Sequence, residues 1–466
     1  MNIKFSKMFS FLIAVLVVLN ILCITAFAQT DGETGIIADD TVINFPDENL
    51  EAVIRDVTGK AADDILYGDV KNITSLYSSG EGITDLEGIQ YLTALEYVNL
   101  SSNLITDISL IGNLVNLKSL ELGDNDLIDI NIIGSMTNLI LLDLRSNSIN
   151  DISALGGLIN LKYLNLSDNQ LSNISALEGM KNLAELYLDS NQISDISVIG
   201  NLVRLDTLVL SANPITDISA LSGLTNLRGL ELIFNDISDI SAIESLTSLT
   251  NLSISGNRIS DITALGKLTN LRSVALWWNE ISDISVLGGL TGLEFISLVG
   301  NQITDISSVS NLSSLTFLEL SDNQIDDIAA ISNLTGLTYL DLSDNQLSNI
   351  SPLSNLTNLT SLYLANNPIT DYSPVEPYYN NLVGKDFTID TTLPYTYGDA
   401  DGDGIVTAND YALIRDYVIE KITAFPSSYG EQASDVDGDG IISANDYALV
   451  RDYVIEKIYS FPVENQ

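Results

Sequence analysis

The sequence predicts an α/β solenoid of short parallel strands, capped by a helix at its N-terminal end and followed by a small all-α module. Two observations predict this architecture. An asparagine returns every 22 residues, and two twelve-residue acidic segments lie 36 residues apart, each followed by the same helical pattern. The repeating asparagines are Asn103, Asn125, Asn147, Asn169, Asn191, Asn213, Asn235, Asn257, Asn279, Asn301, Asn323, Asn345 and Asn367.

Each repeat is numbered here from its asparagine, position n. Leucine fills n−8 in every repeat, and aliphatic residues fill n−5, n−3, n+2 and n+5, where Tyr372 is the one exception. One such repeat cannot bury its apolar side alone, but stacked repeats share a continuous core. At about 4.8 Å between strands, the array should be on the order of 60 Å long. We expect it to curve, because its strand side and its turn side differ in thickness.

The pattern L-x-x-L-x-L-x-x-N resembles the leucine-rich repeat, in which a strand precedes a turn whose asparagine bonds the adjacent coil. We therefore predict that the asparagines form a structural ladder that satisfies buried backbone groups. The return half of each repeat, such as SDISVLGGL after Asn279, has room only for a short helical turn, with serine as its predicted N-cap. This half resembles the internalin-like subclass of 22-residue repeats, which implies a right-handed curved array.

The first 28 residues predict a secretory signal peptide. Lys4 and Lys7 precede the apolar run 9–27, and Ala-Phe-Ala at 26–28 is a suitable cleavage site. A retained membrane anchor is the alternative. Cleavage would remove Cys23, the single cysteine, and the chain has no histidine. Disulfides, thiol catalysis, Ser-His-Asp triads and histidine metal sites are then excluded, and no membrane insertion is expected after cleavage.

The formal net charge of −43 opposes binding to phosphate backbones, so we expect neither a nucleic acid nor an anionic membrane surface as partner. So many carboxylates favour solubility in an extracellular medium. A calcium-binding edge is the alternative for the acids at position n+4, which include Asp107, Asp151, Asp195, Asp217 and Asp261.

Seven segments are predicted along the chain. Within Asn44–Lys60, Leu50, Val53, Ile54 and Val57 recur at helical spacing, which predicts an amphipathic capping helix. A degenerate repeat with Glu81 in the asparagine position follows. The predicted segments are the signal peptide 1–28, a linker 29–44, the N-terminal cap with the degenerate repeat 45–94, the regular repeats 95–373, a C-terminal cap 374–390, a linker 391–397 and a final module 398–466.

Two acidic loops, 399–410 and 435–446, have the spacing of calcium-binding loops. Calcium prefers six to eight hard oxygen ligands, and loop positions 1, 3, 5 and 12 supply carboxylates while position 7 supplies a backbone carbonyl. Glycine fills position 6, where the chain turns sharply. The predicted ligands of two calcium ions are Asp399, Asp401, Asp403, the Ile405 carbonyl and Asp410, and Asp435, Asp437, Asp439, the Ile441 carbonyl and Asp446.

Each loop leads into the pattern YALxRDYVIEKI, whose apolar residues lie on one stripe, so the two helices are predicted to pack antiparallel across a pseudo-twofold axis. From 398 to about 462, the chain resembles a type I dockerin, the module that attaches secreted proteins to cohesin domains of a cellulosome scaffoldin. The resemblance implies cohesin contacts at loop positions 10 and 11 and at 17, 18 and 22. In this chain those residues are Ala408, Asn409, Arg415, Asp416 and Glu420, and Ala444, Asn445, Arg451, Asp452 and Glu456.

Strand positions n−6, n−4 and n−2 should face the concave side of the array, because side chains alternate along a strand. Aromatic residues gather on or beside this face in the later repeats, which is typical of a binding surface for protein or glycan. Mutual stacking of the rings is the alternative. The candidate ligand-binding residues are Trp277, Trp278, Phe295, Phe317, Tyr339 and Tyr363, with Phe234 beside them.

Carboxylates on the same open face, such as Glu185 and Glu231, lack the closed pocket that a glycosidase needs. The leading hypothesis is a non-catalytic secreted protein that is held at the cell surface through a cellulosome. An internalin-like adhesin or inhibitor, for which the dockerin is only a surface tether, is the second hypothesis. An enzyme is the third and is disfavoured.

Overall fold

The computed structural model describes residues 37–389, 396–455 and 460–465. The predicted signal peptide, most of the predicted linker 391–397 and the candidate cohesin contact Glu456 lie outside the described residues. Two compact units divide the chain, Met1–Asn301 and Gln302–Gln466.

Fifteen parallel strands in the described chain form one sheet, and their order in space follows their order in the sequence. In the regular repeats each strand occupies positions n−6 to n−4 and pairs in register with residues 22 positions away, as Leu142 does with Leu164. This topology confirms the predicted solenoid. The strands are β1 (Ser75–Tyr77), β2 (Tyr97–Asn99), β3 (Ser119–Glu121), β4 (Leu141–Asp143), β5 (Tyr163–Asn165), β6 (Glu185–Tyr187), β7 (Thr207–Val209), β8 (Gly229–Glu231), β9 (Asn251–Ser253), β10 (Ser273–Ala275), β11 (Phe295–Ser297), β12 (Phe317–Glu319), β13 (Tyr339–Asp341), β14 (Ser361–Tyr363) and β15 (Gly384–Lys385).

Short 3₁₀-helices return the chain between strands, as the return half of the repeat predicts. They are Ile89–Tyr91, Ser109–Asn113, Asn131–Ser135, Ser153–Gly157, Ser175–Gly179, Ser197–Asn201, Ser219–Gly223, Ser241–Ser245, Thr263–Lys267, Ser285–Gly289, Ser307–Asn311, Ala329–Ile331, Ser351–Asn355 and Ser373–Asn381, with Pro462–Asn465 near the C-terminus. The α-helices of the described residues are α1 (Glu48–Thr58), α2 (Tyr67–Val70), α3 (Ala408–Val418), α4 (Gly430–Ser434) and α5 (Ala444–Val454).

The core of the array consists of the repeat's aliphatic positions, and one repeat illustrates all of them. Around Asn169, the side chains at n−8, n−5, n−3, n+2, n+5 and n+8 are all buried. They are Leu161, Leu164, Leu166, Leu171, Ile174 and Leu177. Full burial of such a side chain contributes about 1.5–3 kcal/mol, so the stacked repeats supply a continuous source of stability.

The asparagine ladder is confirmed, and Asn257 shows its geometry. Its Oδ1 atom accepts a hydrogen bond from the Ile237 N–H at 3.0 Å, and its Nδ2 atom donates to the Leu232 carbonyl at 2.9 Å and to the Ile254 carbonyl at 3.1 Å. Each ladder residue therefore joins its own turn to the preceding repeat and satisfies backbone groups that have no strand partner.

A second asparagine column at position n−9 was not predicted. Each of these side chains donates from Nδ2 to a backbone carbonyl 23 residues earlier in the chain. The same 22-residue spacing in the sequence is the signal that could have found it. Its members are Asn116, Asn138, Asn160, Asn182, Asn226, Asn270 and Asn358.

The predicted serine N-cap is wrong. Ser219 is already the first residue of its 3₁₀-helix, and its N–H donates to the Oδ1 atom of Asp217, at position n+4, at 2.8 Å. Hydrogen bonds from the Ser219 backbone and then from its hydroxyl hold the pKa of Asp217 below the ordinary value. The n+4 carboxylates are exposed as expected, but they also bind the helix start, so the aspartate two residues earlier fills the capping role.

Helix α1 confirms the predicted capping helix, with one difference in detail. Leu50 and Ile54 are buried, whereas Val57 is 46% exposed, so the apolar stripe is narrower than predicted. Glu81 is exposed and takes no part in the ladder. The ladder reaches this repeat through Asn103, whose Nδ2 atom donates to the Ser78 carbonyl at 2.8 Å.

At the C-terminal end of the array, strand β15 pairs with β14. The Asp386 carboxylate accepts hydrogen bonds from the Leu364 N–H at 2.7 Å and from the Ala365 N–H at 3.0 Å. The Tyr378 hydroxyl donates to the Leu353 carbonyl at 2.8 Å. These contacts satisfy the backbone of the last repeats, and the predicted domain boundaries stay predictions.

Candidate functional site

Each acidic loop brings three carboxylates together. One carboxylate oxygen from each of Asp399, Asp401 and Asp403 lies within 4.8 Å of the others, and the second loop groups Asp435, Asp437 and Asp439 in the same way. Among the described residues these are the groups of carboxylates close enough to share one metal ion, and the n+4 acids form no such group. The calcium-binding edge, the alternative for the n+4 acids, stays a prediction.

The first aspartate of each loop organises the loop backbone. Asp399 accepts hydrogen bonds from the Gly402 N–H at 2.8 Å, the Asp403 N–H at 3.1 Å and the Gly404 N–H at 2.9 Å. The φ angle of Gly404 is 89°, a conformation that side chains disfavour, which explains glycine at loop position 6. In the second loop, Asp435 accepts likewise from the Gly438 N–H at 3.0 Å and from the Gly440 N–H at 2.9 Å.

The last aspartate of each loop has a different position from the other three. Asp410 is fully buried, and its carboxylate accepts from the Thr407 N–H at 2.8 Å and from the Asp401 N–H at 3.0 Å. It thereby forms a capping box with Thr407 at the start of α3, and Asp446 does the same at the start of α5. These two predicted ligands lie beside the groups of three and bind the loop backbone.

The electrostatics of the loops favour a cation. Burial raises the pKa of Asp401, and the neighbouring charge of Asp410 raises it further. Burial likewise raises the pKa of Asp437, with the charge of Asp446 as a further cause. A divalent cation bound among these carboxylates would relieve their repulsion, and a donor set made of oxygen atoms suits a hard ion. The residues present therefore fit calcium.

Helices α3 and α5 share a small core and bring equivalent residues together. Ile414 and Val450 are buried in it, and the rings of Tyr411 and Tyr447 lie 5.8 Å apart. Helix α4 was not predicted, because five residues around Gly430 carry no helical period. It follows the first loop-helix unit and leads directly into the second loop.

The candidate cohesin contacts lie on the surface of this module. Ala408, Asn409 and Glu420 are exposed, as are Ala444, Asn445 and Arg451, whereas Arg415, Asp416 and Asp452 are half-buried. The arginine of each half pairs with the next residue. The Arg415 Nη2 atom lies 2.6 Å from Asp416 Oδ1, and the Arg451 Nη2 atom lies 2.7 Å from Asp452 Oδ1.

The strand face consists of the residues at n−6, n−4 and n−2, and its aromatic side chains in the second unit are half-buried. Phe317 and Tyr339 stack with ring centroids 4.1 Å apart, and Tyr339 lies 5.6 Å from Tyr363. Burial and the charges of Glu319 and Asp341 raise the pKa of Tyr339. This stacking agrees with the alternative interpretation of the aromatic residues, in which the rings pack on one another between repeats.

In the first unit, Phe234, Trp277 and Trp278 form an aromatic cluster. The ring of Trp277 lies 5.2 Å from that of Phe234 and 5.3 Å from that of Trp278, both edge to face. Phe234 is 51% exposed and Trp278 is 57% exposed, whereas Trp277 and Phe295 are half-buried. The two most exposed rings therefore belong to position n−1, beside the strand face.

A third aromatic group was missed from the sequence. Tyr163 and Tyr187 have ring centroids 5.4 Å apart, and the Tyr187 hydroxyl donates to Glu185 Oε2 at 3.0 Å. Burial, followed by this hydrogen bond, raises the pKa of Tyr187 to about 12. Both tyrosines lie at strand-face positions, so the same alternation rule could have found them.

Two family models match the chain. The dockerin type I domain model matches residues 397–455. The leucine-rich repeat model, which covers two copies at a time, matches nine segments, most of which overlap the next. These are 137–179, 159–201, 181–223, 203–247, 225–267, 247–289, 291–334, 313–355 and 335–377.

Solved structures support the same assignment. An internalin (InlF) from Listeria monocytogenes is 37% identical, with a TM-score of 0.63, over 74% of this chain and 96% of its own. A leucine-rich-repeat protein of Leptospira interrogans is 27% identical, with a TM-score of 0.65, over 71% of this chain and 87% of its own. Among protein sequences, Internalin H of Listeria monocytogenes is 35% identical over 110 residues, which span 22% of this chain and 20% of Internalin H.

The fold and these matches define a leucine-rich-repeat protein with an internalin-like array. The chain belongs to the leucine-rich repeat family, and its C-terminal region is a type I dockerin domain. A dockerin implies a cohesin-binding role in a cellulosome, and an internalin-like array implies protein interaction.

Both matched families are non-catalytic, and the prediction that the whole protein is not an enzyme stays a prediction. No helix in the described part of the chain combines the length and the apolar character that a membrane crossing needs.

Proposed function

We propose that this protein is a non-catalytic secreted component of a cellulosome, attached through its dockerin and recruiting a protein through its repeat array. The paired acidic loops carry the proposal, because they occur twice with equivalent geometry and each precedes an exposed candidate contact surface. Two calcium ions, one in each loop, would fold the loops against α3 and α5. Binding of the cohesin then depends on calcium, because the metal's binding free energy is folding free energy for so small a module.

In each loop, the three grouped carboxylates would hold the ion, with the position-7 carbonyl of Ile405 or Ile441 and the position-12 carboxylate of Asp410 or Asp446 as further ligands. Asp410 and Asp446 also hold the loop against its helix. A bound ion would neutralise the carboxylates. The chain's own residues have two further roles. They start each helix with a capping box and present Ala408 and Asn409, or Ala444 and Asn445, to the partner.

The cohesin should bind in either of two orientations. The candidate contacts have the same residue types in both halves, so a rotation of about 180° presents the same chemistry. Glu456 lies outside the described residues, and its place in this surface follows from the sequence alone.

Titration calorimetry against a cohesin from the same organism tests both the calcium dependence of binding and the two orientations. Wild-type protein should bind with calcium and lose binding when a chelator is added. The pair Ala408→Asp and Asn409→Arg should cost no more than about 0.4 kcal/mol, the statistical factor of two. The matched pair Ala444→Asp and Asn445→Arg should behave alike, and all four changes together should remove binding. Calcium-independent binding would refute the calcium role, and a large loss from one pair alone would show a single orientation.

The array's proposed ligand is a protein, with a glycan as the alternative. A surface-tethered adhesin or inhibitor is the second candidate function, favoured by the similarity to the Listeria internalins. Pull-down from culture supernatant with the immobilised full-length protein, in parallel with a glycan array, separates these ligand classes. Specific retention of glycans without any protein would overturn the protein-binding proposal.

A further inference from the structure

Position n−1 has a left-handed backbone in every regular repeat, which makes its two aromatic residues unusual. The φ angle lies between 50° and 66° at all thirteen positions, and most hold Ser, Asp, Asn, Ala or Gly. Phe234 and Trp278, each with φ of 53°, are the exceptions. Bulky side chains are rare in this conformation, and strained residues of this kind concentrate at functional sites.

The neighbouring repeats accommodate these two rings. A Cβ atom at Gly256 would overlap the Phe234 ring, and one at Gly300 would overlap the Trp278 ring. Each ring therefore leans on a glycine of the next repeat, while about half of its surface stays exposed. The glycines make room for the rings without enclosing them, so burial offsets only part of the unfavourable backbone conformation.

A shallow depression of about 330 Å³ lies in the strand face of the same unit. It is lined by residues of β7 to β10, which include the small residues Gly229, Ser253 and Ala275, and Glu231 is its one charged lining residue. Trp277 follows Ala275 by two residues. Its lining residues come from four adjacent strands, so an extended chain that crosses the depression contacts all four.

The charges around the cluster have mostly one sign. Each exposed ring is followed two residues later by an exposed acid, Asp236 after Phe234 and Glu280 after Trp278. Arg258 is the neighbouring cation at position n+1, and its Nη2 atom pairs with Asp236 Oδ1 at 2.7 Å. The Glu231 Oε1 atom accepts a hydrogen bond from the Ser211 hydroxyl at 2.8 Å, and neither Glu231 nor Glu280 forms an ion pair among the described residues. Aromatic faces beside carboxylates that have no cationic partner suit a guanidinium group, which stacks on rings and binds carboxylates.

We propose that Phe234, Trp277 and Trp278, with Glu231 in the adjacent depression, bind an arginine-bearing extended segment of a protein partner. This inference rests on the proposed protein-binding function of the array and identifies the partner's chemistry. The segment's backbone lies across the small residues of β7–β10, one guanidinium pairs with Glu231, and another stacks on the exposed rings.

The chain's only two tryptophans are in this cluster. When tryptophan is excited selectively, the fluorescence signal therefore comes from this site alone. The probe is an acetylated, amidated hexapeptide Arg-Gly-Arg-Gly-Arg-Gly, compared with its Glu-Gly counterpart and with cellohexaose. The arginine peptide should change the fluorescence saturably, and added salt should weaken its binding. The other two probes should have no effect.

Asparagine is the matched substitution, because Asn366 occupies position n−1 in the last repeat. Phe234→Asn and Trp278→Asn should each weaken peptide binding at least tenfold while the melting temperature stays the same or rises, and Trp277 remains as reporter. Asp168→Asn, which removes a charge at the same repeat position far along the array, should change binding less than twofold. Trp278→Gly serves as the second variant, since glycine fills this position at Gly256 and Gly300.

Unchanged binding in the Phe234 and Trp278 variants would overturn the proposal. A lower melting temperature in both Trp278 variants would show that the ring stabilises the fold, and this result would also overturn the proposal. A response to cellohexaose in place of the arginine peptide would reject the cationic ligand while leaving a binding role for the array. Cohesin binding is measured independently by calorimetry on the dockerin. A failure of the arginine-peptide proposal can therefore be distinguished from a failure of the proposed attachment to a cohesin.

Discussion

Asp47 should hold the N-terminal cap onto the repeat array. It precedes α1, and its Oδ1 atom accepts from the Asn49 and Leu50 N–H groups, each at 3.0 Å. Its Oδ2 atom accepts from the Thr84 N–H at 2.8 Å and from the Asp85 N–H at 3.1 Å. One carboxylate therefore caps the helix and binds the degenerate first repeat 37 residues away.

Asp47→Ala removes both functions. Loss of the helix N-cap costs about 1 kcal/mol. Loss of the hydrogen bonds to Thr84 and Asp85 should cost about 1–3 kcal/mol more, because the acceptor is charged. The opening free energy of the cap should thus fall by about 2–4 kcal/mol, which increases amide exchange in α1 roughly 30- to 1000-fold. Hydrogen exchange with mass spectrometry of peptides from 45–60 measures this directly.

Acid should weaken the same contact. Burial alone would raise the pKa of Asp47, but hydrogen bonds from Thr84, Leu50 and Asp85 outweigh burial and lower it below 3.8. A depressed carboxylate pKa stabilises the folded cap above the unfolded value of about 3.8, and this stability is lost as the pH falls through the folded value. Cap protection should therefore decline in acid for the wild type, and Asp47→Asn should lack this decline.

Asp56→Ala is the matched control, since Asp56 is an exposed carboxylate on the same helix. Exchange in the internal repeats should stay unchanged in both variants, because each repeat contacts only its neighbours. Equal exchange in α1 for the Asp47 and Asp56 variants would refute the reasoning.

Three further predictions concern the rest of the chain. Asn257→Ala should lower the free energy of unfolding by about 1–3 kcal/mol in urea denaturation, because the buried Ile237 N–H loses its acceptor; an unchanged midpoint would contradict the ladder's role. Gly256→Ala should lower the melting temperature of the array, because its φ is 63° and its Cβ atom would overlap the Phe234 ring; Gly157→Ala, with open space around its Cβ position, is the control. Calcium chelation should increase amide exchange in 396–455 and leave the repeats unchanged, and equal increases in both would refute a calcium role confined to the dockerin.

Repeat-level features of this protein were predictable because they follow from periodicity. A 22-residue spacing of aliphatic residues and asparagine specifies which side chains are buried and which backbone groups need partners, since every repeat stacks on an almost identical one. The acidic loops were also predictable, because the residue types at fixed loop positions are the ligand chemistry itself. Helix α1 followed from its apolar stripe for the same local reason.

Tertiary structure decided what lies outside the repeating pattern. The double role of Asp47 depends on Thr84 and Asp85, and no spacing in the chain marks that pairing. Phe234 and Trp278 pack against glycines of the next repeat because the backbone at position n−1 is left-handed, and this conformation is known only once φ is known. Sequence periodicity determines which positions of neighbouring repeats lie in contact. The backbone conformation at each contact determines whether a side chain caps a helix, stacks on another ring or stays exposed.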